Sequence, residues 1–441
     1  MKKLITGLAV FVILALLQMP YVTGKVAETV TQQLITQINE NNVEYGELSV
    51  LDYQRGFRST RSRFSWQPSL VGKFQLKPEI VVQCDGSHGV FSYSYDCQFE
   101  NAQGYTDFID QQLNGIDPLT ISGSVNVLGD IHHSFRLDAF ELDNEGETIT
   151  MLPGFINVVS DKNLKYFVID GEFQGIELNG SDGFLAIGLV TTSGRIRQNE
   201  LDLAIGDATL TVQDIALESD SQGRIEIEGL ALHSQTQEDG EDLDVSYRLA
   251  VEQFKQSGVA EDLDLANLTM NFQMQGIDMV QMSTLTQKLD ALEKQPESAQ
   301  NASLLALLPA FESMLKPGLA LEFELSADHL ANPVAANLTM NLTNKLTLGD
   351  FLLFSVNPRN LFTKIDVKLT NQIPYLFVDK NPNLSAALAL SPWHIKSDSS
   401  YATDFRISNG SIKLNGNELE INEFLAMLGI RISKTGWGRG L

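Results

Sequence analysis

The chain has 441 residues, enough for one large or two ordinary domains, and carries 31 Lys plus Arg against 56 Asp plus Glu, a formal charge of −25. A field of that sign repels phosphate backbones and works against any general attraction to anionic headgroups, so nucleic acid is excluded as an expected partner. No block of five or more acidic residues forms a dedicated tail, and the acidity reads as solubility.

Lys2 and Lys3 are followed by an uncharged run from Leu4 to Gly24. As a helix at ~1.5 Å per residue the run spans roughly 31 Å, the hydrocarbon thickness of a bilayer. Basic residues ahead of it predict a cytoplasmic start, with everything after it exported. A retained single-pass anchor over 1–24 and a cleaved signal peptide both fit such a run. No Ala-x-Ala stands near Val22-Thr23-Gly24, and Val26, Val30, Leu34 and Ile38 recur every four residues. That spacing continues the helix as an amphipathic, membrane-proximal segment over 25–42 and favours retention.

From about Val43 onward, alternation with a period of two dominates, as in 120–127, 224–228, 319–325, 337–342 and 411–415. Each stretch puts apolar side chains on one face, the pattern of a half-buried antiparallel strand. Turns are expected at Asp170-Gly171, Asn179-Gly180, Asp182-Gly183, Ser193-Gly194, Gln222-Gly223, Asn409-Gly410 and Asn415-Gly416. The expected fold is mainly β with some α: an extended, curved antiparallel meander of hairpins with an N-terminal transmembrane helix and an internal helical hairpin. Met279, Met282, Leu285, Leu289 and Leu292 carry helical spacing, and a second apolar run from Leu304 to Leu315 contains Pro309, which should kink or restart its helix. This places a helical hairpin at 279–318 between β-rich lobes at 43–278 and 319–441.

Cys84 and Cys97 lie in the exported part, where an oxidising compartment favours pairing them. The turn expected at Asp85-Gly86-Ser87-His88-Gly89 would set Cys84 opposite Phe91, so a disulfide would need a wider loop or a third strand. None of the six histidines forms a metal-binding spacing, and His132 and His133, adjacent on a strand, should point to opposite sides. No nucleophile elbow, phosphate loop or Cys-x-x-Cys is present, so neither an enzyme nor a cofactor is expected.

Just beyond the anchor stands Tyr53-Gln54-Arg55-Gly56-Phe57-Arg58-Ser59, preceded by Tyr45-Gly46. Arg55 is suited to hold a carboxylate, and Gly56 allows a bulge or close backbone approach. The motif reads as a strand that starts the sheet and fixes it against the preceding helix, with a ligand or partner contact through Arg55 as the alternative. An N-terminal anchor, an amphipathic helix, this Tyr-x-Arg-Gly-aromatic-x-Ser motif and the closing stretch of Tyr401, Phe405, Ser408-Asn409-Gly410 and Leu414-Asn415-Gly416 together resemble the YdgA-like family. The chain has Phe57 where Trp is expected and Thr60 where a second Ser is common. The resemblance implies a bacterial inner-membrane protein with its bulk in the periplasm. Two functions then compete: a tethered, non-enzymatic envelope protein binding lipid or another apolar ligand in a β-sheet groove, and an envelope scaffold, as a homodimer or with an envelope protein, without a small ligand.

Overall fold

The computed structural model describes residues 2–41, 47–67, 80–100, 105–144, 146–181, 183–219, 223–258, 262–293, 307–330, 332–354, 357–375, 378, 388, 393–396 and 399–427; in the N-terminal helix, side chains are described from Gln18 to Thr36 and at Asn39. The chain divides into two units, residues 1–197 and 198–441.

The first unit opens with α1 (Lys2–Asn41), a single helix that runs through Pro20. The strands follow as β1 (Glu47–Arg55), β2 (Ser59–Gln67), β3 (Ile80–His88) and β4 (Ser92–Glu100). After α2 (Tyr105–Gln112) come β5 (Leu119–Asn126), β6 (Ile131–Leu137), β7 (Phe140–Asn144), β8 (Glu147–Met151) and β9 (Gly154–Ser160). The unit closes with β10 (Tyr166–Phe173), β11 (Ile176–Gly180), β12 (Gly183–Ile187) and β13 (Val190–Gln198). Antiparallel pairing runs β1-β2-β3-β4-β5-β6-β9-β10-β13 in one series and β7-β8-β11-β12 in a second. Only short breaks separate β6 from β7, β8 from β9, β10 from β11 and β12 from β13, so four long strands bend across a common line. Gly175 lies on that line at φ +136°, and a Cβ there would stand 2.4 Å from the Ile187 carbonyl oxygen.

The alternation of the sequence becomes apolar rows across the pairing. Phe140, Met151, Ile176 and Ile187 form one row, and Leu142, Ile149, Leu178 and Leu185 the next. Two of the expected turns are instead strand interior. Asp170-Gly171 sits within β10 and Ser193-Gly194 within β13, where Gly171 pairs with Thr192 and Gly194 with Ile169. A Cβ on Gly171 would crowd Thr192, the Phe155 carbonyl and Ile156 at 3.0–3.2 Å, so this glycine serves close packing and not chain reversal.

The second unit begins with four long strands, β14 (Ala204–Ser219), β15 (Gly223–Asp239), β16 (Asp242–Ser257) and β17 (Leu263–Asp278). Next come α3 (Met279–Glu293), α4 (Leu308–Met314), β18 (Ala320–His329), β19 (Asn332–Leu342), α5 (Leu348–Leu352), α6 (Pro358–Phe362) and β20 (Ile365–Pro374). The chain ends in β21 (Ile395–Lys396), β22 (Ser400–Ser408), β23 (Ser411–Leu414), β24 (Asn417–Leu419) and α7 (Ile421–Met427). The pairing is a meander, β14-β15-β16-β17-β18-β19-β20-β22-β23-β24, with β21 also on β22. The division expected at 279–318 is not where the chain separates, because β17 pairs with β18 directly across the helical insert. The insert is a helical pair among its described residues. Pro309 stands in the first turn of α4, where its missing N–H costs nothing. Met279, Met282, Leu285 and Met314 cover Leu203, Ile205, Leu243 and Ile277 at one end of the long strands. Lys316 ties this end with ion pairs to Asp242 (2.5 Å) and Asp278 (3.3 Å).

Along β14–β17 the apolar positions change parity at one level. Leu210 and Val212 give way to Ile215 and Leu217, Ile225 and Ile227 to Leu230 and Leu232, Val251 to Phe254, and Leu265 to Leu268. Gly229 (φ 63°) and Asn267 (φ 53°) mark that level with left-handed backbone. The switch falls in all four strands, so paired rows stay matched: Ile215-Ile227-Phe254-Leu265 on one side of it and Leu210-Leu232-Leu249-Met270-Leu325 on the other. The latter row is half-exposed at Leu210, Leu232 and Met270. At the C-terminal end, by contrast, Leu342, Phe362, Ile365, Phe405, Ile407, Ile412, Leu414, Phe424 and Leu425 form a fully buried core. Buried Asp350 there completes a capping box with Thr347 and binds Lys364 at 2.7 Å.

Among the described residues no helix is long and apolar enough to cross a membrane. The run from Leu4 to Leu17 falls on side chains outside those described.

Candidate functional site

The sequence motif at 53–59 is a hairpin tip, not the continuous strand expected. β1 ends at Arg55, Gly56 N–H donates to the Ser59 carbonyl (2.7 Å), and Arg55 pairs with Thr60 across the turn. Gly56 terminates the strand, so Tyr53 and Phe57 do not share a face; Tyr53 turns inward and Phe57 projects outward, 52% exposed. Arg55 performs the role its type suggested. Its Nε lies 3.0 Å from Glu28 of α1 and its guanidinium sits 4.7 Å above the Tyr21 ring, while Nη1 is buried with no hydrogen-bond partner among the described residues.

A second hairpin tip joins the first. Cys84 and Cys97 face each other across β3 and β4 and are joined by a disulfide. The expected turn at Asp85–Gly89 is displaced: residues 85–88 continue β3, and the reversal occurs where Gly89 N–H donates to the Ser92 carbonyl. With that register no third strand is needed to bring the cysteines together. His88, the last residue of β3, is buried and bridges both tips, with Nε2 2.6 Å from Thr60 Oγ1 and Nδ1 3.3 Å from the Phe57 carbonyl oxygen. A carbonyl only accepts, so Nδ1 carries the proton. Desolvation by burial, reinforced by the charge of Arg55, holds the His88 pKa below the ordinary histidine value. Burial likewise raises that of Tyr53, whose neighbours are Thr60, Glu28 and Arg55.

Both tips grip α1 where its side chains are small. Thr23 Oγ1 donates to the Gly89 carbonyl (2.9 Å), and a Cβ on Gly24 would fall 2.3 Å from His88 Cε1. Further along, Asn39 exchanges two hydrogen bonds with the Leu48 backbone. The stretch of the helix from Thr23 to Asn39 is thus pinned at either end by polar contacts and lies over the sheet between them, with Ala27 and Val30 packed on Tyr93, Val125 and Ile131.

Between the pins a cavity of about 300 Å³ opens beneath the helix. Val30, Leu34 and Ile35 form its roof; Phe64, Val82, the disulfide, Ile121, Ile131 and Phe135 form its floor. Polar groups are few: Thr31, Ser62 and the pair of Tyr95 and His133, whose hydroxyl and Nδ1 are 2.5 Å apart. Burial lowers the His133 pKa, with the neighbouring His132 adding to it, and burial raises that of Tyr95. His132 and His133 do face opposite sides, the former exposed. Gly86 and Gly123, which flank Tyr95 on the adjacent strands, leave room for the two tyrosine rings, stacked at 5.7 Å. Such a volume is at the lower end of ligand pockets, and its walls suit an apolar group with one hydrogen-bonding point. The floor continues past the helix as the same sheet face, where Phe135 and Ile156 are paired neighbours and remain half-exposed.

Glu28 and Tyr95 were not singled out by sequence reasoning, and Thr60, His88 and His133 were named there without a role at this site. The signal available was the small-aromatic pairing of Gly86 and Gly123 with Tyr95, which becomes visible only once the hairpin register is right. No group of three or more His, Cys, Asp or Glu that would hold a metal occurs among the described residues.

No curated protein and no solved structure matches the chain. A family model does, over residues 1–422, and its description is a bacterial protein of unknown function, DUF945. With all but the last 19 residues covered, the chain belongs to the DUF945 family of bacterial proteins of unknown function, in keeping with the resemblance to a bacterial family that the sequence carries.

Proposed function

We propose that this chain is a non-enzymatic protein of the bacterial cell envelope, tethered to the inner membrane by residues 1–24 with its bulk in the periplasm, and that it binds a lipid or comparable apolar chain against its β-sheet. The observation that supports this is the cavity beneath α1, walled by apolar side chains and continuous with the half-exposed face at Phe135 and Ile156. A site of this composition gives up apolar surface to a ligand. Native mass spectrometry of the detergent-extracted chain tests it. Lipid should co-purify with the wild type and be lost from Ile121→Trp, which fills the floor. A bare wild-type chain, or equal occupancy in the variant, would remove the reading.

A scaffold role without a small ligand is the second reading, and the half-exposed row of Leu210, Leu232 and Met270 supports it. Such a row matches a second copy or another envelope protein laid against the long strands. Crosslinking in intact cells that captures a defined partner through β14–β17, with no lipid in the extract, would favour it.

A further inference from the structure

The hairpin tips of the first unit gather at one end of its sheet. The Arg58 carbonyl of the β1–β2 tip accepts from His88 N–H of the β3–β4 tip, and Phe91 of the latter accepts from Val127 N–H of the β5–β6 tip. At the β9–β10 tip, Lys162 lies against Gly129 of the β5–β6 tip. α1 passes this end at Thr23, which bonds Gly89. Each tip therefore sits beside the stretch of helix from which the uncharged run extends back towards Lys2.

What these tips present is unlike the rest of an acidic chain. Phe57, Phe91 and Leu128 project from the three tips at 52%, 63% and 77% exposure, and Tyr21 and Val22 are exposed on the helix, Tyr21 beneath Arg55 of the first tip. Large apolar side chains rarely occupy the turns of adjacent hairpins without a partner, since turns are polar by default. The charges exposed beside them are basic: Lys25, Arg58, Lys162 and Lys165. The nearby acids face inward to the turns. Asp161 accepts from the backbone of Lys165 and Tyr166, Asp130 from the Asn126 amide, and Glu28 pairs with Arg55.

We infer that this rim of hairpin tips is a membrane-contacting surface, with Phe57, Phe91 and Leu128 seated at the headgroup level of the bilayer that holds the N-terminal helix. This rests on the proposed tether. Aromatic and aliphatic side chains at the interface, ringed by Lys and Arg, are the pattern by which proteins lie on anionic membranes. The local basic charge counters the repulsion that the overall −25 would otherwise exert within a Debye length of the surface. Seated this way, the sheet stands on the membrane and does not swing freely from it.

Photo-crosslinking of the full chain in vesicles of phosphatidylethanolamine and phosphatidylglycerol tests the assignment. Benzoylphenylalanine is placed singly at Phe57, Phe91 and Leu128; at Phe11 within the uncharged run; and at Ile116, which is 72% exposed and precedes β5 at its opposite end. Lipid adducts at all three rim positions, several-fold above Ile116, are expected. Adducts at Phe11 with none at the rim would overturn the rim while leaving the tether standing. Absence of lipid adducts at Phe11 would overturn the tether, and the rim with it. Protein adducts dominating at Phe57, Phe91 and Leu128 would assign the surface to a protein partner and overturn the membrane contact.

Discussion

Helices cover sheet in two regions of this chain, and they do it differently. At the C-terminal end, Phe362, Phe405 and Phe424 interlock with Trp393 at ring separations of 5.2–5.9 Å, and the faces close completely. Beneath α1, the helix offers Ala27, Val30, Thr31, Leu34 and Ile35, and a space of about 300 Å³ remains. Packing holds the first; in the second, polar contacts at Thr23, Glu28 and Asn39 join the packing of Ala27 and Val30, and Gly24 lets His88 approach. A helix fastened at its ends need not fill the space under its middle, and that is how an apolar cavity persists in a folded sheet. The difference makes the N-terminal region the place for the ligand proposed above.

The sharpest test of the contrast is Phe424→Ala, which removes the ring stacked on Phe405 from a core with no slack. It should cost about 3–5 kcal/mol in equilibrium denaturation. Enlarging a side chain in each region should then split them. Ile412→Phe, at a site 2% exposed, is expected to cost about 1–3 kcal/mol through overpacking. Ile121→Phe extends into open space and should change stability by no more than about 0.5 kcal/mol. Equal penalties at the two sites would mean that the cavity is not available volume.

The polar fastening has its own signature in pH. His88 and His133 both have folded pKa values lowered by burial, so the unfolded chain binds more protons than the folded one as the pH drops below the ordinary value of 6.5. Their contribution is complete above that value and is lost as the pH falls through the lowered folded values. The melting temperature should decline over that window, and His88→Gln should flatten part of the decline. A slope unchanged in the variant would remove His88 from the fastening. A small effect also belongs to Glu28→Gln, which loses a partly exposed ion pair with Arg55 worth about 0.2–1 kcal/mol. It should show more clearly as faster hydrogen exchange along α1 than as a shift in midpoint.

Much of this architecture could be read in the chain. Alternation located the strands because a half-buried sheet imposes a period of two on side chains, and Met279 to Leu292 announced a helix by breaking it. Local chemistry misled where one residue type serves two purposes. Asp170-Gly171 and Ser193-Gly194 look like turns, yet both lie inside paired strands, and Gly171 is there for what lies across from it. Asp85-Gly86 drew the turn away from Gly89, and with it the register that sets Cys84 opposite Cys97. Arg55 was legible as a carboxylate binder, but Glu28 was not its visible partner, because the contact joins the helix to the far end of the strand that follows it. The cavity was illegible for the same reason: it is made of ordinary apolar residues, and only their spacing in three dimensions leaves it empty.

The parity switch shared by β14–β17 carries a consequence for how this chain can change over generations. A single-residue deletion inside any one of the four strands would turn half of that strand's apolar side chains to the opposite face while its neighbours kept theirs. Gly229, whose Cβ would collide with Glu252 on the next strand, ties the switch in β15 to that in β16. Length changes should therefore accumulate in the turns and spare the strand interiors, so that among related chains the interval from Leu210 to Ile215, and its counterpart in each partner strand, keeps a fixed length even where every residue in it has been replaced.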